Sequence, residues 1–300
     1  MRKWLFGVVL AFLTLACSAC ALAAQRDMAH YLLLGVDGWG VNEEGSARSD
    51  AIILTSLDYE QDRIVFTSFA RDCIVKPSYR KGTVKLNTLV RSAEGETVII
   101  DYLEEAFGVP ISGYFIINFS GAVDVIDAIG GVEIDLSAAE VDYLRHHAGD
   151  YDGYKLTEGP CLINGAQALY YMRCRGLDND FGRQGRQGKV LRAVLDELSD
   201  ITPLRALMLL DDVFGLYRTD LSAGQQLELA LKVIQLRRAD VITHSMPQEG
   251  TYRYGTDSHG ASGLLFNMEA NQESLYALLD IDNPFSTREE SEKTSESDMH

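Results

Sequence analysis

From residue 31 to residue 136, short apolar runs alternate with stretches of helical periodicity, and this alternation restricts the chain to a layered α/β fold. Residues 31–36 form an apolar run that ends at Asp37-Gly38 and reads as a buried strand. Residues 51–57 and 63–69, separated by a polar turn, read as a hairpin. Residues 97–107 place Val98, Tyr102, Leu103 and Phe107 on one side of a helix, which Gly108-Val109-Pro110 stops. A strand at 114–119 follows, then a helix at 121–129 with Ser120 as its cap and Gly130-Gly131 as its end, then a strand at 132–136.

The rest of the chain is less regular. The segments 77–91 and 142–159 read as irregular or loop-like. A helix is expected from Asn164 toward Tyr171, and a strongly amphipathic one over 183–198 with Val190, Val194, Leu195 and Leu198 as its apolar stripe. Helices near 204–215 and 223–236, a strand at 241–246 and a short helix at 274–279 complete the pattern.

Arg2 and Lys3 precede an uncharged run of 21 residues, 4–24, long enough to cross a bilayer as a helix. The positive flank predicts that the remainder lies outside. A cleaved signal peptide is the alternative, because Ala21-Leu22-Ala23 offers a small-x-small site. The chain therefore divides into an anchor or signal peptide (1–25), one large domain (26–285) and a charged, disordered tail (286–300). Either reading exports Cys73, Cys161 and Cys174, which could be one disulfide plus a thiol or three buried thiols. No zinc-like spacing is present, and His146-His147 reads as a solvated loop pair.

The net charge of −17 excludes a general nucleic-acid binder. Against that acidic background, Arg173, Arg175, Arg183, Arg186, Lys189 and Arg192 crowd into one short stretch. An anionic ligand and a solvated basic face both account for such crowding. Spacing favours the ligand. Arg173 and Arg175 on a strand would share a face, and Arg183, Arg186 and Gln187 would share the first turn of a helix, where unpaired N–H groups also attract anions. Guanidinium forks suit phosphate oxygens, and several together suit a diphosphate. Asp37 and Asp50 end and begin strands that would lie side by side. Paired carboxylates there are either Mg²⁺ ligands or turn and cap residues.

These segments resemble the LytR-CpsA-Psr family of cell-wall ligases. The resemblance is carried by Leu32-Leu33-Leu34-Gly35-Val36-Asp37, Arg48-Ser49-Asp50, Ser68-Phe69-Ala70-Arg71-Asp72, Lys85-Leu86-Asn87 and Asp127-Ala128-Ile129-Gly130-Gly131-Val132. It continues through Leu162-Ile163-Asn164-Gly165, Gln167-Ala168-Leu169, Tyr171-Met172-Arg173-Cys174-Arg175, Asp180-Phe181-Gly182-Arg183 and Arg186-Gln187. It implies a three-layer α/β/α fold with a central mixed sheet and a hydrophobic lipid-binding tunnel. The implied diphosphate contacts are Arg48, Arg71, Lys85, Arg173, Arg175, Arg183, Arg186 and Gln187, with Asp180 orienting the arginines. Asp37 and Asp50 are the implied Mg²⁺ ligands, and with Arg71 and Arg183 the implied catalytic set. Two departures stand out: Gly38-Trp39-Gly40 replaces a segment in which the family often carries an arginine, and Ala70 replaces a proline.

The implied activity moves a glycopolymer, such as teichoic acid or capsular polysaccharide, from a polyprenyl-diphosphate carrier to a peptidoglycan hydroxyl at the outer face of the membrane. Two rivals are a non-catalytic polyprenyl-phosphate-binding sensor or scaffold, and a transcriptional regulator. The exported topology and the charge count against the regulator.

Overall fold

The computed structural model describes residues 28–37, 48–91, 97–178, 180–199, 202, 205, 208, 209, 212–236 and 238–285. The expected anchor and the acidic tail lie outside these residues. Among the described residues, no helix is long and apolar enough to cross a membrane.

A six-stranded mixed sheet forms the centre. Its strands are β1 (Met28–Val36), β2 (Ser49–Asp58), β3 (Arg63–Phe69), β6 (Gly113–Asn118), β9 (Tyr217–Thr219) and β10 (Asp240–Met246), in the order β10-β3-β2-β1-β6-β9. Two short strands, β4 (Ile74–Val75) and β5 (Val84–Lys85), pair outside it. β1 pairs parallel with β6 and β3 parallel with β10, whereas β2 runs antiparallel to both β1 and β3. Four strands therefore end at one edge, the usual ligand edge of an α/β sheet, and β2 begins there.

Strand alternation separates two cores. Leu32, Leu34, Ile52, Leu54 and Val65 face helices α1 (Thr97–Phe107) and α7 (Met268–Leu279), with Ile99, Leu103, Leu275 and Leu279 as partners. Ile53, Leu57, Ile64 and Phe66 face the other way, toward Leu191 and Leu195 of α5 (Asp180–Ser199) and Leu229 and Val233 of α6 (Ala223–Gln235). Each fully buried leucine or isoleucine contributes about 1.5–3 kcal/mol. A third cluster joins α2 (Phe119–Ile129), the hairpin β7 (Val132–Leu136) and β8 (Gly159–Ile163), α3 (Ala138–His147) and α4 (Gly165–Arg173). A final hairpin, β11 (Tyr252–Thr256) with β12 (Ser262–Phe266), precedes α7.

Several local expectations are corrected. The cap of α2 is Asn118, whose side chain accepts from the Gly121 N–H, and Ser120 sits inside the first turn donating to Asn118. Gly130 ends α2 at φ 99°, as its lack of a Cβ permits. The segment after Ser137 is a helix, closed by a reciprocal Ser137–Glu140 capping box, so His146 and His147 lie in its last turn. Residues 84–91 form β5 and a 3₁₀ turn in which Leu86 and Leu89 are buried. The last helix begins at Met268, six residues before the expected start. Cys73, Cys161 and Cys174 are all buried and free, so no disulfide joins them.

Candidate functional site

The site lies where β1 ends and β2 begins. Pairing runs Gly35↔Ala51 and then Val36↔Ser49, so Asp50 is an extra residue in a β-bulge. A bulge re-aims the side chain it carries. Ser49 Oγ pins it by donating to the carbonyls of Ala51 at 2.6 Å and Gly35 at 3.3 Å. Asp50 is thereby turned onto Arg71, whose Nη1 donates to its Oδ1. Asp37, one residue past β1, accepts the Arg48 backbone N–H at 3.1 Å.

Arg71 follows β3 and sits among three carboxylates: Asp50, Asp72 at 3.6 Å and Asp180 at 3.9 Å. Lys85 Nζ holds the far side of Asp72 at 2.9 Å. Asp180 opens α5, where a carboxylate suits the helix dipole. It also accepts from Arg183 Nη2 at 3.1 Å.

Arg183 is the unusual member. It is 3% exposed, and its Nε and Nη1 are buried without a hydrogen-bond partner. Burial pulls its guanidinium below the ordinary value; Arg71 and Arg175 push the same way, and Asp180 and Asp50 oppose them. An arginine nevertheless stays charged in a protein. A buried cation paired only with the partly exposed Asp180 favours further negative charge nearby.

Such charge has a place to sit. A cavity of about 590 Å³ is lined by Asp50, Arg173, Arg175, Arg183 and Gln187. The Arg173 guanidinium lies 4.1 Å above the Phe119 ring, which fixes its plane. Arg173 ends α4 and Arg175 belongs to the loop beyond it, so the expected strand is absent, yet both reach the same cavity.

Arg186 does not line this cavity. Its guanidinium turns behind the wall, donating to the carbonyls of Tyr171 and Cys174 and to both oxygens of Asp178. The bond to Asp178 raises its pKa. Arg186 and Gln187 also lie in the second turn of α5, since the helix begins at Asp180. Arg48, Arg71, Lys85 and Asp37 flank the cavity through the ion-pair network and sheet edge rather than lining it.

A second cavity, of about 340 Å³, shares part of its wall with the first. Leu33, Ile53, Phe115, Ile117, Val190 and Leu191 give it apolar walls, and Asp50, Met172, Arg173 and Gln187 belong to both cavities. The first cavity is also lined by Tyr143, His147 and Tyr170. Residue spacing does not single them out, because the helix bearing two of them buries only Val141 and Leu144 and so carries little apolar periodicity. The Ser137…Glu140 spacing of a capping box is the signal that marks this helix.

Among the described residues, no group of three or more His, Cys, Asp and Glu side chains is placed to hold a metal alone. Asp37 and Asp50 each engage a neighbour through Oδ1. Asp37 and Asp50, two hard oxygen donors at one sheet edge, are the residues that could hold a divalent cation, with phosphate oxygens and water completing its shell.

Comparison with known proteins agrees with this architecture. A model of the LytR_cpsA_psr family matches residues 16–274. The polyisoprenyl-teichoic acid–peptidoglycan teichoic acid transferase TagU of Oceanobacillus iheyensis is 31% identical over 209 residues, covering 67% of this chain and 61% of its own length. The corresponding TagU of Enterococcus faecalis is 29% identical, covering 67% of this chain and 64% of its own. This chain thus spans a little over three fifths of those relatives. Among solved structures, TagT bound to LIIa-WTA superposes with a TM-score of 0.69 at 22% identity, covering 85% of this chain and 92% of that one. With the family model matched over most of its length, the chain belongs to the LytR_cpsA_psr family.

Proposed function

We propose that this protein is a phosphotransferase that moves a glycopolymer from a polyprenyl-diphosphate carrier to a peptidoglycan sugar hydroxyl at the outer face of the membrane. The observation that carries the reading is Arg183, a cation only 3% exposed that lines one cavity together with Arg173 and Arg175. The names of the TagU relatives support the same chemistry.

In this reading the diphosphate lies against Arg173, Arg175, Arg183 and Gln187, and the polyprenyl tail fills the apolar cavity. The acceptor hydroxyl attacks the sugar-proximal phosphorus. The bond from that phosphorus to the bridging oxygen breaks, polyprenyl phosphate leaves, and a phosphodiester joins polymer to acceptor. The hydroxyl proton passes to a carboxylate, Asp50 or Asp72. The arginines stabilise charge that builds on the phosphoryl oxygens, and they are preorganised to do so by Asp180 and Phe119. Mg²⁺ held by Asp37 and Asp50 would neutralise diphosphate charge. Arg71 holds Asp50 in position, and residues 4–24 hold the domain at the membrane.

The test is transfer from a lipid-linked saccharide to a peptidoglycan fragment by the full chain. Arg175→Ala is expected to keep the fold and lose transfer. Wild-type transfer by that variant overturns the site, and tight lipid binding by the wild type without turnover assigns the protein as a carrier-binding scaffold instead.

A further inference from the structure

The cavity is larger than its cations require. Four residues, Asp50, Met172, Arg173 and Gln187, are common to the polar and apolar cavities. A molecule with its diphosphate at that common wall and its tail in the apolar cavity keeps its other end in the polar cavity, which Tyr143, His147 and Tyr170 also line.

These three rings are built as a surface. Tyr143 and His147 sit one turn apart on α3 and stack, with centroids 4.0 Å apart and planes 21° apart. His147 Nδ1 lies 2.8 Å from the Tyr143 carbonyl oxygen, which fixes the imidazole ring. Tyr170, from α4, stands 6.3 Å from His147 and is tilted by 44°. Tyr170 remains 38% exposed. Aromatic faces beside hydroxyl and imidazole edges suit a ligand with apolar faces and polar edges. A pyranose ring has that character, with C–H groups on its faces and hydroxyls at its rim.

We propose that Tyr143, His147 and Tyr170 form a saccharide subsite for the sugar attached directly to the carrier diphosphate. The assignment rests on the diphosphate reading above and adds the identity of what lies beyond it. Stacking selects a ring and tolerates variation in its hydroxyls, so the shelf positions the reacting phosphorus without specifying the rest of the polymer.

The experiment uses the full chain in detergent and two probes: geranylgeranyl diphosphate, and the same lipid diphosphate carrying one N-acetylhexosamine. Wild-type protein is expected to bind the glycosylated probe more tightly. The His147→Ala/Tyr170→Ala double variant is expected to lose roughly five- to tenfold in affinity for the glycosylated probe, with less than about twofold change for the sugar-free one. Tyr170→Phe, which keeps the ring, is expected to retain the preference. Equal loss for both probes, or no loss for either, overturns the subsite. A soluble peptidoglycan disaccharide that binds the wild type and not the double variant would reassign the shelf to the acceptor and overturn the donor assignment. Arg175→Ala is run in parallel and should weaken both probes. If the wild type binds neither, the diphosphate reading fails and the shelf falls with it.

Discussion

Arg186 holds both carboxylate oxygens of Asp178 at 2.7 Å, and this pair fastens the loop between α4 and α5 to the body of the domain. Its remaining donors go to the buried carbonyls of Tyr171 and Cys174. Arg186→Ala strands those carbonyls and is expected to destabilise the protein by about 2–4 kcal/mol. Arg175→Ala, at an exposed position, should change stability by less than about 0.5 kcal/mol. Urea titration of both variants checks the contrast, and similar midpoints would refute a structural role for Arg186.

Gly182 tests the same loop from the other side. A Cβ added there would collide with the Asp178 carboxylate, which Arg186 keeps from moving aside. Gly182→Ala should therefore lower the thermal midpoint, although alanine normally favours a helix by about 1 kcal/mol over glycine. A rise in the midpoint would show that Asp178 yields freely.

Arg183 should behave in the opposite sense to Arg186. Its buried charge is only partly compensated, since Nε and Nη1 have no partner. Arg183→Met is expected to raise stability by about 1–2 kcal/mol while abolishing lipid-diphosphate binding. A destabilised variant would mean that the Asp180 pair outweighs the burial cost.

Burial holds the His30 imidazole down at about 4, from an ordinary 6.5. The neutral ring is favoured by folding, so its contribution is fully present above pH 6.5 and is lost as pH falls through 4. The span corresponds to on the order of 3 kcal/mol. His30→Asn should flatten the stability profile between pH 6.5 and 4 relative to wild type. Parallel profiles for the two proteins would rule out His30 as their source.

Chelation tests the carboxylate pair. EDTA is expected to halt transfer and excess Mg²⁺ to restore it, with Asp37→Ala requiring more Mg²⁺ for half-maximal rate. Transfer that proceeds unchanged in EDTA would remove the metal from the mechanism.

Legibility in the sequence tracked how strongly burial writes a period into the residues. The helix at 97–107 was plain because Val98, Tyr102, Leu103 and Phe107 repeat on one face and all are buried. Helix α3 was obscured because Val141 and Leu144 are its only buried residues, so polar positions dominate its composition. The arginine crowding draws attention to one segment, but charge carries no direction. Arg183 and Arg186 lie three apart on one helix, and only the loop that brings Asp178 round decides that one turns to the cavity and the other away. Likewise, Arg173 and Arg175 meet the cavity from a helix end and a loop, by tertiary placement that no strand periodicity records.

β1 enters the sheet at Met28 and delivers Asp37 after nine paired residues, a span of roughly 30 Å. The strand is therefore a rigid spacer between the point of entry and the charged edge. The separation between Met28 and that edge is set by the length of the strand itself. Neighbours on both sides, β2 and β6, lock that separation, so it cannot drift without unpicking the centre of the sheet.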